Sequence, residues 1–180
     1  LYLDEFSITG KSKYTDKIAK QRKEFGTITP FSVDHGAWGK DGNALSLMRC
    51  EPAFAYAGNY FSKDVRVTVP VTPIHGESHL LQIRAQGAMR GYIAGFSEEG
   101  KAAVYKNDFG YTKMIETDFA WKHGTTYKLT LEAVGDWITL SVDGEKILEM
   151  KDGSFRYGMF GCGSIGMGRT LFGDFEIMEI

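Results

Sequence analysis

The sequence contains little cysteine, and this shortage narrows what the protein can be. Cys50 and Cys162 are the only two cysteines in 180 residues, and neither has a Cys or His nearby at metal-ligand spacing. A disulfide-rich scaffold and a thiolate zinc site are therefore excluded. One disulfide between the two remains open, but we expect two free buried thiols, since a buried Cys behaves as a small hydrophobe. Free thiols favour a reducing compartment such as the cytoplasm.

The sequence also lacks a charge excess and a long apolar run. Its formal net charge is −2, so nothing in it favours nucleic acid or an acidic membrane surface as a partner. No run of about 18 apolar residues occurs, which predicts no membrane span. The chain begins at Leu1 without a visible signal peptide, so we expect it to be an excised or processed piece.

Glycine and aromatic residues, in contrast, are abundant, with 22 Gly, 12 Phe and 9 Tyr. Apolar and polar residues alternate from about residue 44 onward, as in 65–71, where every second residue is Val. This period of two predicts strands, and pairs such as Asp143-Gly144 predict tight hairpin turns. With ten to twelve short strands and no convincing long helix, we expect an all-β, antiparallel sandwich or closed barrel.

Three predicted strands carry more detailed predictions. Pro70 cannot donate to a strand ladder, so we expect 65–71 to lie at a sheet edge or to contain a bulge. In 79–86, alternation places Leu81 and Ile83 inward and Gln82 and Arg84 outward. The glycine string 158–168 predicts a bulged, closely packed strand rather than a phosphate loop.

The chain divides into three parts by composition. Residues 1–10 predict a leading strand, and residues 11–25 are rich in Lys and Arg, which indicates a basic linker or short surface helix. Residues 26–180 form the predicted β-sandwich.

Two stretches resemble a known superfamily. SVDHGAWGKDGNALSL contains Trp38, Asp41-Gly42 and Leu45, and YKLTLEAVGDWITLSVDGEKILEMKDG is followed by the glycine-rich YGMFGCGSIGMG. They resemble the start and the end of the concanavalin A-like lectin/glucanase jelly roll, which includes laminin-G-like sugar-binding modules. The resemblance covers about residues 26–180 and implies a two-sheet jelly-roll sandwich with one concave outer face, the usual place for glycans.

A narrower resemblance rests on shorter motifs. The order LYLDEFSITG, LQIRAQGAMRGYIAGF, VYKNDFGYTKM and YKLTLEAVGDWITLSVDG is similar to that of the C-terminal β-sandwich module of bacterial ADP-ribosylglycohydrolase-family proteins. That family's hydrolytic chemistry belongs to a separate helical domain with metal-binding carboxylates, which this chain does not contain. The resemblance therefore implies an accessory module with a parent catalytic domain as partner.

The stretch RAQGAMRGYIAGF suggests a binding face, because Arg, Gln and Tyr stand among small residues there. Guanidinium and amide groups match sugar hydroxyl pairs or phosphates, and a phenol ring packs on the apolar face of a sugar. We therefore expect a glycan or an anionic sugar on a patch formed by His79, Arg84, Gln86, Arg90, Tyr92, Lys106, Asp108 and Tyr111. The alternative is a solvated sheet face with cross-strand pairs such as Arg90 with Asp108.

The candidate residues for catalysis or metal binding match the known patterns of such sites poorly. Asp174, Glu176 and Glu179 depart from the acid motif of retaining glucanases, so a glycoside hydrolase is the least favoured function and we expect no catalytic residues. His75 and His79 do not have the helical spacing of a zinc pair, and we expect no metal or cofactor in the binding site. A structural calcium ion held by Asp4, Asp34 or Asp174 remains open.

The sequence thus predicts a non-catalytic, sugar-binding accessory module. The second hypothesis is a structural or interaction module that packs on its parent catalytic domain or on a second copy of itself.

Overall fold

The structure is a computed structural model that describes residues 8–10, 31–33, 36–41, 44–49 and 52–180. The predicted basic linker at 11–25 lies outside these residues, as do Cys50, Asp4 and Asp34. The described residues form sixteen strands. They are β1 (Ile8–Gly10), β2 (Ser32–Val33), β3 (Ala37–Asp41), β4 (Ala44–Arg49), β5 (Ala53–Ala57), β6 (Val65–Gly76), β7 (His79–Ala85), β8 (Arg90–Phe96), β9 (Lys101–Asp108), β10 (Tyr111–Asp118), β11 (Tyr127–Val134), β12 (Trp137–Val142), β13 (Glu145–Lys151), β14 (Met159–Ser164), β15 (Gly168–Phe172) and β16 (Phe175–Glu179).

The strands form two sheets, and the predicted all-β sandwich is confirmed. Sheet A has the order β13–β12–β11–β6–β15–β4–β3, with β16 also beside β6 and β1 beside β16. Sheet B has the order β10–β9–β8–β7–β14–β5–β2. Neighbouring strands are antiparallel except for β1 and β16, so residues 8–10 of the predicted leading strand belong to this same sandwich. No helix of the described residues is long and apolar enough to cross a membrane.

The core lies between the two sheets and follows the predicted alternation. Val67 and Val69 of β6 face Leu81 and Ile83 of β7 across one buried cluster, and all four are 0% exposed. Cys162 is a free thiol buried in the same cluster, as expected. Burial raises the pKa of this thiol well above its usual value, so it packs as a neutral apolar group.

Of the two alternatives predicted for 65–71, the edge position is wrong, because β6 lies at the centre of sheet A. An irregularity of register occurs in β6, but further along, between Pro73 and His75. Strand β6 pairs with β11 along one side, while β16 and then β15 pair along the other. The carbonyl of Pro70 accepts a hydrogen bond from the N–H of Gly173, which lies between β15 and β16. The proline nitrogen therefore faces the junction of two partner strands, where no ladder donor is needed.

Candidate functional site

The sandwich has two ends, which the loops between strands define. The loops at 58–64, 86–89, 135–136 and 152–158 meet at the arginine end, where the N–H of Gly135 donates to Asp64 and the N–H of Gly158 donates to the carbonyl of Ser62. The loops at 77–78, 97–100, 119–126 and 165–167 meet at the histidine end. The predicted site residues are divided between these ends and the outer face of sheet B.

Arg84 was predicted to face outward, but it is buried at the arginine end, with 1% of its surface exposed. Its φ of 51° breaks the alternation of β7 and directs the side chain towards loops that adjoin sheet A. The guanidinium donates to the carbonyls of Lys63 and Phe155 and to the carboxylate of Asp64. Burial lowers its pKa, and Asp64 partly offsets this effect. Arg84 therefore closes the end of the sandwich and cannot contact a ligand in solvent.

Tyr92 and Lys106 lie opposite each other in register, on the inner face of sheet B. Both bind Asp152, and the hydroxyl of Tyr92 also accepts a hydrogen bond from the N–H of Phe155. Burial and the bond to Asp152 raise the pKa of Tyr92 to about 12. Burial acts to raise the pKa of Asp152, but hydrogen bonds from Ser154, Tyr92 and Lys106 outweigh it and hold that pKa well below its usual value. These groups join the 152–155 loop to sheet B.

Arg90 and Asp108 form the cross-strand pair that the alternative hypothesis predicted. Their Nε and Oδ1 atoms are 3.1 Å apart, and both side chains are partly exposed. The Arg90 guanidinium also lies 4.8 Å from the centre of the Phe155 ring. Gln86 donates to the carbonyl of Tyr157 and so holds the same loop region.

His79 lies at the opposite end of β7, buried at the histidine end. Its Nε2 is 3.1 Å from the carbonyl of Gly76, which can only accept, so Nε2 carries the proton and Nδ1 accepts from the hydroxyl of Thr170. Burial lowers the pKa of His79 to about 4, so the ring is neutral. Tyr111 lies on the outer face of sheet B. The prediction that the eight residues line one open patch is therefore wrong.

The outer face of sheet B carries a second apolar cluster, which explains why every residue of β7 is buried. We call it the outer aromatic face, and its members are Phe54, Tyr56, Leu80, Ile93, Tyr105, Tyr111 and Ile165. Phe54 and Tyr111 come from β5 and β10, which four other strands separate, yet their ring centres are only 6.3 Å apart. In a flat sheet these strands would lie about 24 Å apart, so sheet B must curve strongly around this face. The concave outer face that the resemblance implied is present.

Gln82 lies on this outer aromatic face, as alternation predicted, opposite Ile93 of β8. It is 1% exposed, and neither its Nε2 nor its Oε1 has a hydrogen-bond partner among the described residues. Nearly all buried polar groups in proteins are hydrogen-bonded, so a buried amide without any partner requires an explanation.

A cleft of about 590 Å³ opens at the histidine end, next to the outer aromatic face, and we call it the end cleft. Tyr105 and Ile165 belong to both. The polar and aromatic side chains that line the cleft include His75, Glu77, Glu98, Tyr105 and His123. Its volume falls within the range of about 300–1,000 Å³ that is usual for small-molecule sites.

The groups of the end cleft are held by an ion pair and by hydrogen bonds. Lys113 binds Glu98 at 2.8 Å and lowers the pKa of that carboxyl, which keeps it ionised. The Nε2 of His123 donates to the carbonyl of Gly76, so its Nδ1 is the acceptor in the neutral ring. The indole of Trp121 donates to the carbonyls of Glu98 and Lys101 and supports the cleft wall.

The end cleft was not predicted from the sequence, because its residues come from four separate loops and from the strands β6 and β9. His75 was considered only as a zinc ligand, and Glu98 and His123 were not singled out. The sequence feature that could have indicated a site here is the polar turn 97–100, which directly follows the buried strand β8.

No three His, Cys, Asp or Glu side chains of the described part of the chain are close enough to hold a metal ion together. Asp174 and Glu176 are exposed, and Glu176 lines a shallow groove of sheet A with Arg66 and Lys128 rather than the end cleft.

Comparison with solved structures shows the fold. The chain is similar to the carbohydrate binding module CBM66 from Bacillus subtilis, with a TM-score of 0.75, 18% identity, and 83% of this chain and 96% of that chain covered. A Bacillus subtilis protein of unknown function with a galectin-like fold gives a TM-score of 0.68 at 15% identity, covering 83% of this chain and 89% of that one. The exoplasmic/lumenal domain of VIP36, in its Ca²⁺/Man-bound form, gives 0.63 at 12% identity, covering 86% and 84%.

No protein-family model matches the chain, and no curated protein matches it. At these identities the structural similarity shows the fold alone, an antiparallel β-sandwich of two sheets. One fold supports many functions, so the fold does not assign a function to this chain.

Proposed function

We propose that the protein is a non-catalytic carbohydrate-binding module whose sugar site is the end cleft. The observation that carries the proposal is the lining of this cleft, where the ring of Tyr105 stands beside the carboxylates of Glu77 and Glu98 and the imidazoles of His75 and His123. A sugar presents hydroxyl groups around its edge and apolar C–H groups on its face. Carboxylates and imidazoles accept from the hydroxyls, and an aromatic ring packs on the C–H groups.

The solved neighbours support this proposal, since one is described as a carbohydrate binding module and another has a mannose-bound form. The accessory role in a larger, hydrolytic protein is part of the proposal. It is supported by the resemblance of the strand motifs to modules that accompany ADP-ribosylglycohydrolase-family domains.

A glycan array followed by titration of the best ligand tests the proposal. We expect Tyr105→Ala and His123→Ala to weaken binding at least about tenfold, which corresponds to about 1.4 kcal/mol. Arg90→Ala, at the arginine end, is the control and should bind like the natural sequence. Absence of any bound glycan, or a loss in Arg90→Ala without a loss in the cleft variants, would contradict the proposal.

One observation favours an interaction module as a second candidate. Tyr60, Phe61 and Tyr157 form a ring cluster at the arginine end, and Tyr60 and Phe61 are 40% and 70% exposed. Exposed aromatic clusters are typical of contact surfaces for other protein domains. Under this hypothesis Phe61→Ser abolishes comigration with the parent catalytic domain in gel filtration while glycan binding is unchanged.

A further inference from the structure

We propose that Gln82 is the specificity-determining residue of this module and that it selects sugars bearing an acetamido group. The inference rests on the proposed function, because it concerns a ligand that enters through the end cleft. It assigns a role to a buried amide that neither the packing of sheet B nor the predicted patch explains.

The Gln82 amide has no role in the packing of the described residues. Both of its polar atoms are buried without a partner in this part of the chain, and Nε2 lies 3.0 Å from the position that a Cβ at Gly91 would occupy. A methionine has nearly the same shape and would fill this place without burying an unpaired donor and acceptor. A polar group that the fold does not use is expected at a functional position.

The side chains around the amide suit an acetamido group. Phe54, Leu80 and Ile93 form the buried centre of the outer aromatic face, and each of them is at most 2% exposed. An acetamido group has one N–H donor, one carbonyl acceptor and one methyl group. Its amide can pair reciprocally with the Oε1 and Nε2 of Gln82, while its methyl group packs on Leu80 and Ile93.

The amide lies two strands from a residue that borders the end cleft. Tyr105, Ile93 and Gln82 lie side by side on neighbouring strands, so Gln82 is two strand spacings, about 10 Å, from Tyr105. Tyr105 is only half-buried and borders the end cleft directly, whereas Ile93, which lies between the two, is buried. Rotation of both side chains would open a path from a sugar held in the cleft to Gln82.

Two disaccharides that differ only in their 2-substituents test this inference, namely di-N-acetylchitobiose and cellobiose. We expect the natural sequence to bind di-N-acetylchitobiose at least tenfold more tightly than cellobiose in calorimetric titration. Gln82→Met should remove that preference by weakening di-N-acetylchitobiose alone, while its urea midpoint stays equal to that of the natural sequence or rises. Gln86→Met, which changes an amide at the arginine end, is the matched control and should keep the preference.

The outcomes separate this inference from the proposed function. Equal affinity of the natural sequence for the two disaccharides, or full preference in Gln82→Met, overturns the role of Gln82 and leaves sugar binding intact. Failure of the natural sequence to bind either disaccharide, together with an empty glycan array, overturns the proposed function and this inference with it.

Discussion

At the residue scale, the ion pairs of the arginine end differ in how much they stabilise the fold. Arg84 is buried and donates to two backbone carbonyls. If Arg84 is replaced by an apolar residue, both carbonyls lose this donor. Arg90 pairs with Asp108 where both side chains are 40% or more exposed. A buried charged group with several partners is costly to remove, whereas exposed pairs contribute little.

We predict that Arg84→Met lowers the free energy of unfolding by about 2–4 kcal/mol, because buried acceptors lose a charged donor. Arg90→Met should lower it by less than about 1 kcal/mol. Urea unfolding of the two variants checks this difference. Equal stability of the two variants would show that the guanidinium of Arg84 is not buried as described.

At the element scale, β14 shows why this sequence uses glycine inside a strand. A Cβ at Gly161 would lie 2.3 Å from the carbonyl oxygen of Ala55, and one at Gly163 would lie 2.2 Å from that of Ala53. The backbone of the neighbouring strand β5 therefore lies too close to β14 for a side chain at Gly161 or Gly163. The predicted bulged, closely packed strand is present in β14, where the ladder with β7 is irregular between Met159 and Gly161, whereas residues 165–167 lie between β14 and β15.

We predict that Gly163→Ala destabilises the protein by about 1–3 kcal/mol, since backbone atoms must move to admit the methyl group. Gly166 is the matched control, because a Cβ there would meet nothing within 4 Å. Gly166→Ala should stay within about 0.5 kcal/mol of the natural sequence in thermal or urea unfolding. A similar loss in both variants would mean that the effect is not the close approach of β5.

At the scale of the whole molecule, His79 joins the two sheets. It belongs to β7 of sheet B and binds Thr170 of β15 in sheet A. The pKa of His79 is about 4 in the folded protein, below the ordinary 6.5. His79 therefore binds a proton more tightly in the unfolded chain than in the folded protein. The contribution of His79 to stability is therefore present above about pH 6.5 and is lost as the pH falls towards 4.

We predict that the free energy of unfolding falls by about 2 kcal/mol from pH 7 to pH 5 because of this residue. His79→Gln should remove most of this dependence, at the cost of lower stability at pH 7. His75→Gln, which changes an exposed histidine of the same end, should retain it. Urea unfolding at the two pH values is the measurement, and an unchanged slope in His79→Gln would contradict the assignment.

Much of the fold follows from local pattern. Alternation placed Leu81 and Ile83 in the core and Gln82 outside, because successive side chains of a strand point to opposite faces. The turn at Asp143-Gly144 was also recognisable, and both residues have the positive φ that this kind of hairpin requires.

The candidate site could not be predicted in the same way. Alternation fails at Arg84, where one residue with positive φ redirects the side chain towards the arginine end. The edge position predicted from Pro70 failed for another reason. Proline lacks an N–H donor, but its nitrogen faces the junction of β15 and β16, which lie about 100 residues later in the chain.

The sequence by itself determined the β-sandwich class, the inward and outward faces of most strands and the buried state of Cys162, because these depend on neighbours along the chain. Only the tertiary structure decided that β6 is central, that sheet B curves, and that Tyr105 of β9 and the loop residues Glu98 and His123 meet in one cleft. The physical reason is that strand order and loop convergence are set by contacts between residues far apart in sequence, for which a period of two carries no information.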